Sequence, residues 1–410
     1  MNCAKLFRRW CPFALAGLAI AGGAIAFTLR RPRHPVYPAS HPPAIYATTA
    51  TGPLYAPFQL DIDPMQRLLL INFEQDPDAV YLGFEPQVFD DERHGAGMLV
   101  IGWRVDGKVD VFHQPGLRLD PATYTIAGGG LHKMVERPLH AASFTVNETG
   151  VQADISFDDL SGRPVVLRVA ERNTTPRQPF GLLAPMGAAA TEPSALPLVF
   201  LREFYFVRQA DSEVTILVDG VAHQPDKMPL PMNGMRMYFL RYSNDPLIVT
   251  LNPAHHGPLA PLVAASVNEA HAHGTTYDLV EQHGHPAIAR MRRSLNDHEV
   301  SVNFTPPLPH LAVMADGARA HGGFQITADP ILGTLRGEYR IERRGNQISL
   351  SATPSGGWEP NESNWSVKLI YRAASIFSTW PQSYQWHATL DLDAGSEALL
   401  QSAWSRVVEN

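Results

Sequence analysis

Cysteine is nearly absent. The 410-residue chain holds two, Cys3 and Cys11, and none from residue 12 onward. A disulfide framework and a thiol nucleophile are thereby excluded from the body, and a hydrophobic core has to carry the fold. Acidic residues are absent from the first 60 positions, which hold Lys5, Arg8, Arg9, Arg30, Arg31 and Arg33 as their only basic residues. The remainder holds 27 basic and 40 acidic residues, a net charge of −13. A body so acidic excludes nucleic acid as a partner, because neutralising phosphates needs a basic surface. H-E-x-x-H and G-x-S-x-G are missing, and the run Gly128-Gly129-Gly130 lacks the Lys and Ser/Thr of a phosphate loop. No cofactor motif is present. The hydrophobic fraction, 45%, is that of a globular chain and excludes disorder throughout.

One long uncharged run exists, residues 10–29, WCPFALAGLAIAGGAIAFTL, with basic residues on both sides. About 20 apolar residues span a bilayer. The expected layout is a cytoplasmic stretch over 1–9, a transmembrane signal anchor or signal peptide over 10–29 and a tether over 30–57. The tether carries seven prolines between Pro32 and Pro57 and is expected to be extended. This implies a single-pass protein of a bacterial inner membrane, partnered to that membrane through 10–29, with its body in the periplasm. Cleavage after Ala24-Ile25-Ala26 would instead give a secreted or periplasmic body.

Beyond residue 60 short alternating runs are separated by turn signals, with no βαβ rhythm. The expected class is all-β: two antiparallel β barrel or sandwich domains, lipocalin-like barrels among them. The larger domain is placed at 58–255, a His-rich interdomain segment at 256–295, the smaller domain at 296–395 and a C-terminal helix at 396–410. A second helix is expected at Ala287–Leu295. Asp106-Gly107 reads as a two-residue hairpin loop, which would set Trp103 opposite Asp110 and Val100 opposite His113.

Four constellations have the residue types for chemistry. His271, His273, His283 and His285 form H-A-H and H-G-H; in extended chain each pair projects to one side and could offer two imidazoles to zinc or copper. Glu203 lies in the apolar run Leu198–Val207, where desolvation would raise its pKa and suit it to proton donation, with Tyr205 assisting. Acidic residues Glu74, Asp76, Asp78, Glu85, Asp90, Asp91 and Glu92 cluster with His94 on what read as loops; a pair of such carboxylates would suit glycoside hydrolysis. Aromatic residues form the fourth group, five of seven Trp lying between Trp358 and Trp404. Trp103, His113, Trp358, Tyr384 and Trp386 are the candidate ligand contacts, since such rings stack on sugars or line apolar pockets.

The leading functional expectation is a membrane-tethered protein that binds, and processes by cofactor-free acid/base chemistry, a hydrophobic or lipid-like small molecule in a β-barrel cavity. The alternatives are a glycan-active enzyme using paired carboxylates and Trp platforms, and a non-catalytic interaction protein.

Overall fold

The computed structural model describes residues 46–47, 51–184, 192–229, 231–232, 234–329, 332–361, 365–373, 379–393 and 397–407. Strands are numbered here in chain order. The first fourteen are β1 (Leu60–Pro64), β2 (Arg67–Asn72), β3 (Tyr81–Asp91), β4 (Gly95–Arg104), β5 (Val109–His113), β6 (Leu131–Glu136), β7 (Ala141–Asn147), β8 (Gly150–Asp158), β9 (Pro164–Glu171), β10 (Phe180–Ala184), β11 (Leu196–Arg208), β12 (Ser212–Val218), β13 (Val221–Ala222) and β14 (Met237–Leu251). The rest are β15 (His255–Leu259), β16 (Val263–Ser266), β17 (Glu269–Ala272), β18 (Thr275–Gln282), β19 (His285–Leu295), β20 (His298–Leu308), β21 (Arg319–Thr327), β22 (Thr334–Arg344), β23 (Gln347–Glu359), β24 (Tyr384–Asp391) and β25 (Ala398–Arg406). A helix α1 covers Trp365–Ala373.

The chain divides into two compact units that interleave in sequence: Met1–Pro57, Gly257–Arg292 and Ser301–Leu400 make unit 1, and Phe58–His256, Arg293–Val300 and Gln401–Asn410 make unit 2. Unit 2 holds a nine-stranded sheet, ordered β10-β11-β14-β2-β3-β4-β5-β6 with β1 added on β14, and a five-stranded sheet, ordered β13-β12-β9-β8-β7. Alternation explains their packing, since every second residue of a strand faces the same side. Leu69, Ile71, Phe84, Val100 and Phe112 of the larger sheet meet Ile155, Phe157, Leu167, Val169 and Ile216 of the smaller one in a single buried cluster. Phe157 is its hinge-pin, with ring centroids 5.9 Å from Phe84 and 4.8 Å from Phe112. Each such buried Phe contributes roughly 1.5–3 kcal/mol. Unit 1 is built on the long meander running from β24 through β23, β22, β21, β20, β19, β18 and β17 to β16.

The all-β expectation meets three open sheets; no closed barrel occurs among the described residues, because each strand order ends on unpaired strands rather than returning to its start. The lipocalin-like cavity expected of this chain is corrected on that ground. The expectation of a membrane-anchored protein of an inner membrane is corrected too. Among the described residues no helix is long and apolar enough to cross a membrane, and residues 10–29 lie outside the described residues.

Both expected helices are strands where described; 396 and 408–410 of the second lie outside the described residues. Ala287–Leu295 falls in β19, where the pairing with β18 skips Ala289. That bulge puts Ile288 and Met291 on one face three residues apart, a spacing that imitates a helix. In β25 the buried residues Ala398, Leu400 and Trp404 are two and four apart, so Leu400 and Trp404 alone read as helical.

The Asp106-Gly107 hairpin is offset by one residue from its expected register. Arg104 N–H donates to the Lys108 carbonyl at 3.0 Å, so the loop has three residues, with Gly107 at φ 85. A three-residue loop closed by a left-handed glycine is the next most common hairpin after the two-residue form. Trp103 therefore pairs with Val109 and Leu99 with His113, while Gly102 pairs with Asp110. A shift of one residue moves side chains to the other face. Trp103 and His113 thus share one face of the sheet, and Asp110 lies on the other.

Candidate functional site

On the face of the nine-stranded sheet turned away from the Phe157 core, polar and aromatic side chains stand among buried aliphatic ones such as Leu99, Val109 and Val111. Glu85, in the middle of β3, lies on it with Gln87, Ile101 and Trp103, as the register of β3 with β4 dictates. Its Oε1 accepts from Gln87 Nε2 at 2.8 Å and its Oε2 from Trp103 Nε1 at 3.1 Å. Glu85 is buried, and burial pushes its carboxyl up to about 7 against the opposing pull of those two donors and of Arg241. A carboxyl near 7 is half protonated at neutral pH, the condition for giving and taking a proton.

Arg241, on β14, stands among three acids. Its Nη1 donates to Asn72 Oδ1 at 2.8 Å, and Asn72 Nδ2 donates to Glu74 Oε1 at 3.0 Å. Glu74 is raised by burial and then by the negative charge of Asp226, with Asn72 and Arg241 opposing. Asp226 is raised by burial, against the Glu74 and Gln75 backbone N–H groups and Arg241. Those N–H groups reach it at 2.9 and 3.0 Å. One guanidinium serves three carboxyls, so the group as a whole is short of positive charge. Arg241 also lies 4.4 Å over the ring of Phe239, which stacks on Phe206 at 6.1 Å. Leu70, Asn72, Glu74, Trp103, Phe206, Phe239 and Arg241 are all half-buried, so the face keeps contact with solvent.

Of the residues expected from sequence, Glu85 and Trp103 are bonded to each other here, Glu74 is connected to them through Asn72 and Arg241, and His113 shares the face one strand further on, its Nδ1 3.2 Å from the Gln114 carbonyl. Glu85 was expected on a loop; its neighbours Phe84 and Pro86 leave it inside a strand that is buried on both faces. Arg241, Asn72 and Asp226 were not singled out. Arg236 and Arg241 both interrupt the apolar run Met235–Tyr242, and nothing in the sequence tells them apart.

Glu203 does not stand on an apolar face. It is exposed, at φ 43, and accepts from Asn244 Nδ2 at 3.1 Å. The pairing of β10 with β11 skips a residue between Leu201 and Phe204, which breaks the alternation that would have buried it. The hydrophobic-ligand reading, which needed Glu203 in an enclosed cavity, is corrected accordingly. Tyr205 stacks on Tyr242 at 5.4 Å under the guanidinium of Arg177, 4.0 Å from its ring. Behind them Glu171, fully buried, takes Arg208 Nε at 2.6 Å, and Arg208 spends its other donors on Asn173, Thr175 and Thr149.

The four histidines do not converge. His273 and His283 each precede a glycine in a tight turn, at φ 48 and 52. These two turns cap opposite ends of the eight-residue β18, roughly 26 Å apart at strand rise. His271 is exposed beside Glu269 at 3.2 Å. His285 lies 4.9 Å from the Tyr46 ring and 6.1 Å from the His310 ring. Among the described residues no group of three or more His, Cys, Asp or Glu is gathered to hold a metal ion. In unit 1, Tyr384, Trp386 and Trp358 are buried, Trp358 giving its indole N–H to the Leu332 carbonyl at 2.7 Å.

No family model, no curated protein and no solved structure matches this chain.

Proposed function

We propose that this face of unit 2 recognises a glycan, with Glu85 as the proton donor and Glu74 as the paired carboxylate. The observation that carries the reading is Glu85 itself: a buried carboxyl near neutrality, tied to a half-exposed indole. Trp103, Phe239 and Phe206 offer rings to the C–H faces of a sugar, and Asn72, Gln87 and Arg241 offer donors and acceptors to its hydroxyls. Glu85 would protonate the glycosidic oxygen as the C–O bond breaks. Glu74 would stabilise the positive charge on the sugar and take the proton from the incoming water. The late tryptophans, being buried where described, do not contribute a platform; Trp103 takes that part.

A glycan array followed by aryl-glycoside assays on the intact protein tests this. Binding should fall at least tenfold in Trp103→Ala and Arg241→Ala. Glu85→Gln should keep binding and lose roughly 100-fold or more in turnover, the usual weight of one general acid. Binding without turnover in wild type would reduce the site to recognition alone. Absence of any glycan ligand at millimolar concentration would end the proposal.

A further inference from the structure

Asp110 of β5 is fully buried, and three side chains hold its carboxylate. Oδ2 accepts from Tyr81 Oη at 3.0 Å and from Arg104 Nη1 at 2.9 Å, and Oδ1 lies 2.6 Å from Nδ1 of His132. His132 is the unusual member, since its side chain is 40% exposed while the carboxylate it holds is 0% exposed. It sits on β6, which pairs parallel to β5 at the edge of the sheet. The register runs from Val109↔Leu131 to Asp110↔Lys133, so His132 is the extra residue of a bulge. Bulges re-aim side chains, and this one turns the imidazole of an edge strand onto a buried carboxylate.

We propose that His132 and Asp110 form a second proton-transfer site, separate from the Glu85 face, that activates water toward a carboxylic ester. Asp110 lies on the opposite face of the sheet from Trp103 and Glu85. With Nδ1 committed to Asp110 as a donor, the neutral imidazole carries its lone pair on Nε2, the atom away from the buried carboxylate. This is the role a carboxylate plays behind any general-base histidine: it fixes the tautomer and supports the imidazolium when it forms. Arg104 already supplies Asp110 with a positive partner. The other charged groups around the pair are Asp106, bonded to Arg104 at 3.2 Å, and Lys133, the register partner of Asp110.

In the reaction Nε2 takes a proton from water as its oxygen bonds to the ester carbonyl carbon. The tetrahedral adduct then breaks its bond to the alcohol oxygen, and the imidazolium returns the proton to that oxygen. Water and ester give acid and alcohol, with no other reactant. Esters are favoured over glycosides because activated water needs an electrophilic carbonyl carbon, and over amides because an alkoxide leaves more readily than an amide nitrogen.

The test is hydrolysis of p-nitrophenyl acetate by the full chain. His132→Gln should slow it about 100-fold, while His140→Gln, an exposed histidine beside Asp158, should leave it unchanged. Imidazole nitrogen NMR supplies a readout independent of activity: in the neutral His132 ring the proton should sit on Nδ1, against Asp110, and not on Nε2. Equal rates in His132→Gln and His140→Gln, or an Nε2-protonated His132, would overturn the proposal. Asp110→Asn is the weaker variant, since a buried partner of Tyr81 and Arg104 also supports the fold.

Discussion

Trp103 Nε1 lies 3.1 Å from Glu85 Oε2, across a register that brings β4 beside β3. The indole can only donate, so the contact favours the charged carboxylate, while burial favours the neutral acid. Glu85 is held near neutrality because these two effects oppose one another.

Removing the donor while keeping the ring separates them. Trp103→Phe should raise the Glu85 pKa above its value of about 7. One hydrogen bond to a charged group is worth about 1.5 kcal/mol, or roughly one unit. Carboxyl-carbon NMR titration of wild type and variant measures the change; an unmoved pKa would show that the indole does not set it.

Glu85 also links stability to pH. Its folded pKa, about 7, is above the ordinary value of 4.5, so the folded state binds the proton more tightly. Its contribution is complete below about 4.5 and is lost as pH rises through 7. The loss is on the order of 3 kcal/mol at about 1.4 kcal/mol per unit. Denaturant melts at pH 5 and pH 8 should show this fall in wild type and a smaller one in Glu85→Gln.

Two histidines should respond to pH in opposite directions. Burial works against the charge on His94, but Asp63 and Asp91, each 3.1 Å away, overcome it and raise its pKa. Its stabilisation is present below 6.5 and lost as pH rises through the folded value. His310 is lowered, by burial and then by His285, so its contribution holds above 6.5 and is lost as pH falls through its folded value. Imidazole NMR should find His94 titrating above 6.5 and His310 below it. His94→Gln should flatten the alkaline limb of the stability profile, and His310→Gln the acid limb.

The Glu171–Arg208 pair should behave as a buried pair broken from one side. Arg208 is 1% and Glu171 0% exposed. Glu171→Ala leaves a buried guanidinium without its counter-charge and should cost roughly 3–5 kcal/mol by urea unfolding. Gly150→Ala tests the same contact from the backbone. At φ 138 a Cβ is strained and would overlap the Glu171 carboxylate, so this variant should also be destabilised.

The strand character of the body was legible because alternation survives in strands such as β8, whose residues switch between buried and half-buried along their length. What alternation could not convey was the bulges. At Glu203 and Ala289 one extra residue changes which side chain faces inward, and the composition around each position hides it. The candidate site was legible as residue types, in Glu74, Glu85 and Trp103, but not as an assembly. Arg241 is 156 positions from Glu85 in the chain, and only the pairing of β14 beside β2, and of β2 beside β3, brings them together. His132 carried no sequence signal, because its role arises from a register shift against a parallel neighbour.

Trp404 donates its indole N–H to the carbonyls of Leu251 and Asn252, 153 and 152 positions earlier. It belongs to the last stretch of unit 2, which begins at Gln401, after all of unit 1 has been made. On a ribosome adding about 5–20 residues per second, on the order of 10–30 s separate the emergence of Leu251 from that of Trp404. Over that interval the end of β14 waits for its indole. A nascent chain stalled before residue 404 should therefore present an incomplete unit 2, and no single uninterrupted fragment contains all the pieces of unit 2 without also carrying Gly257–Arg292 and Ser301–Leu400 of unit 1.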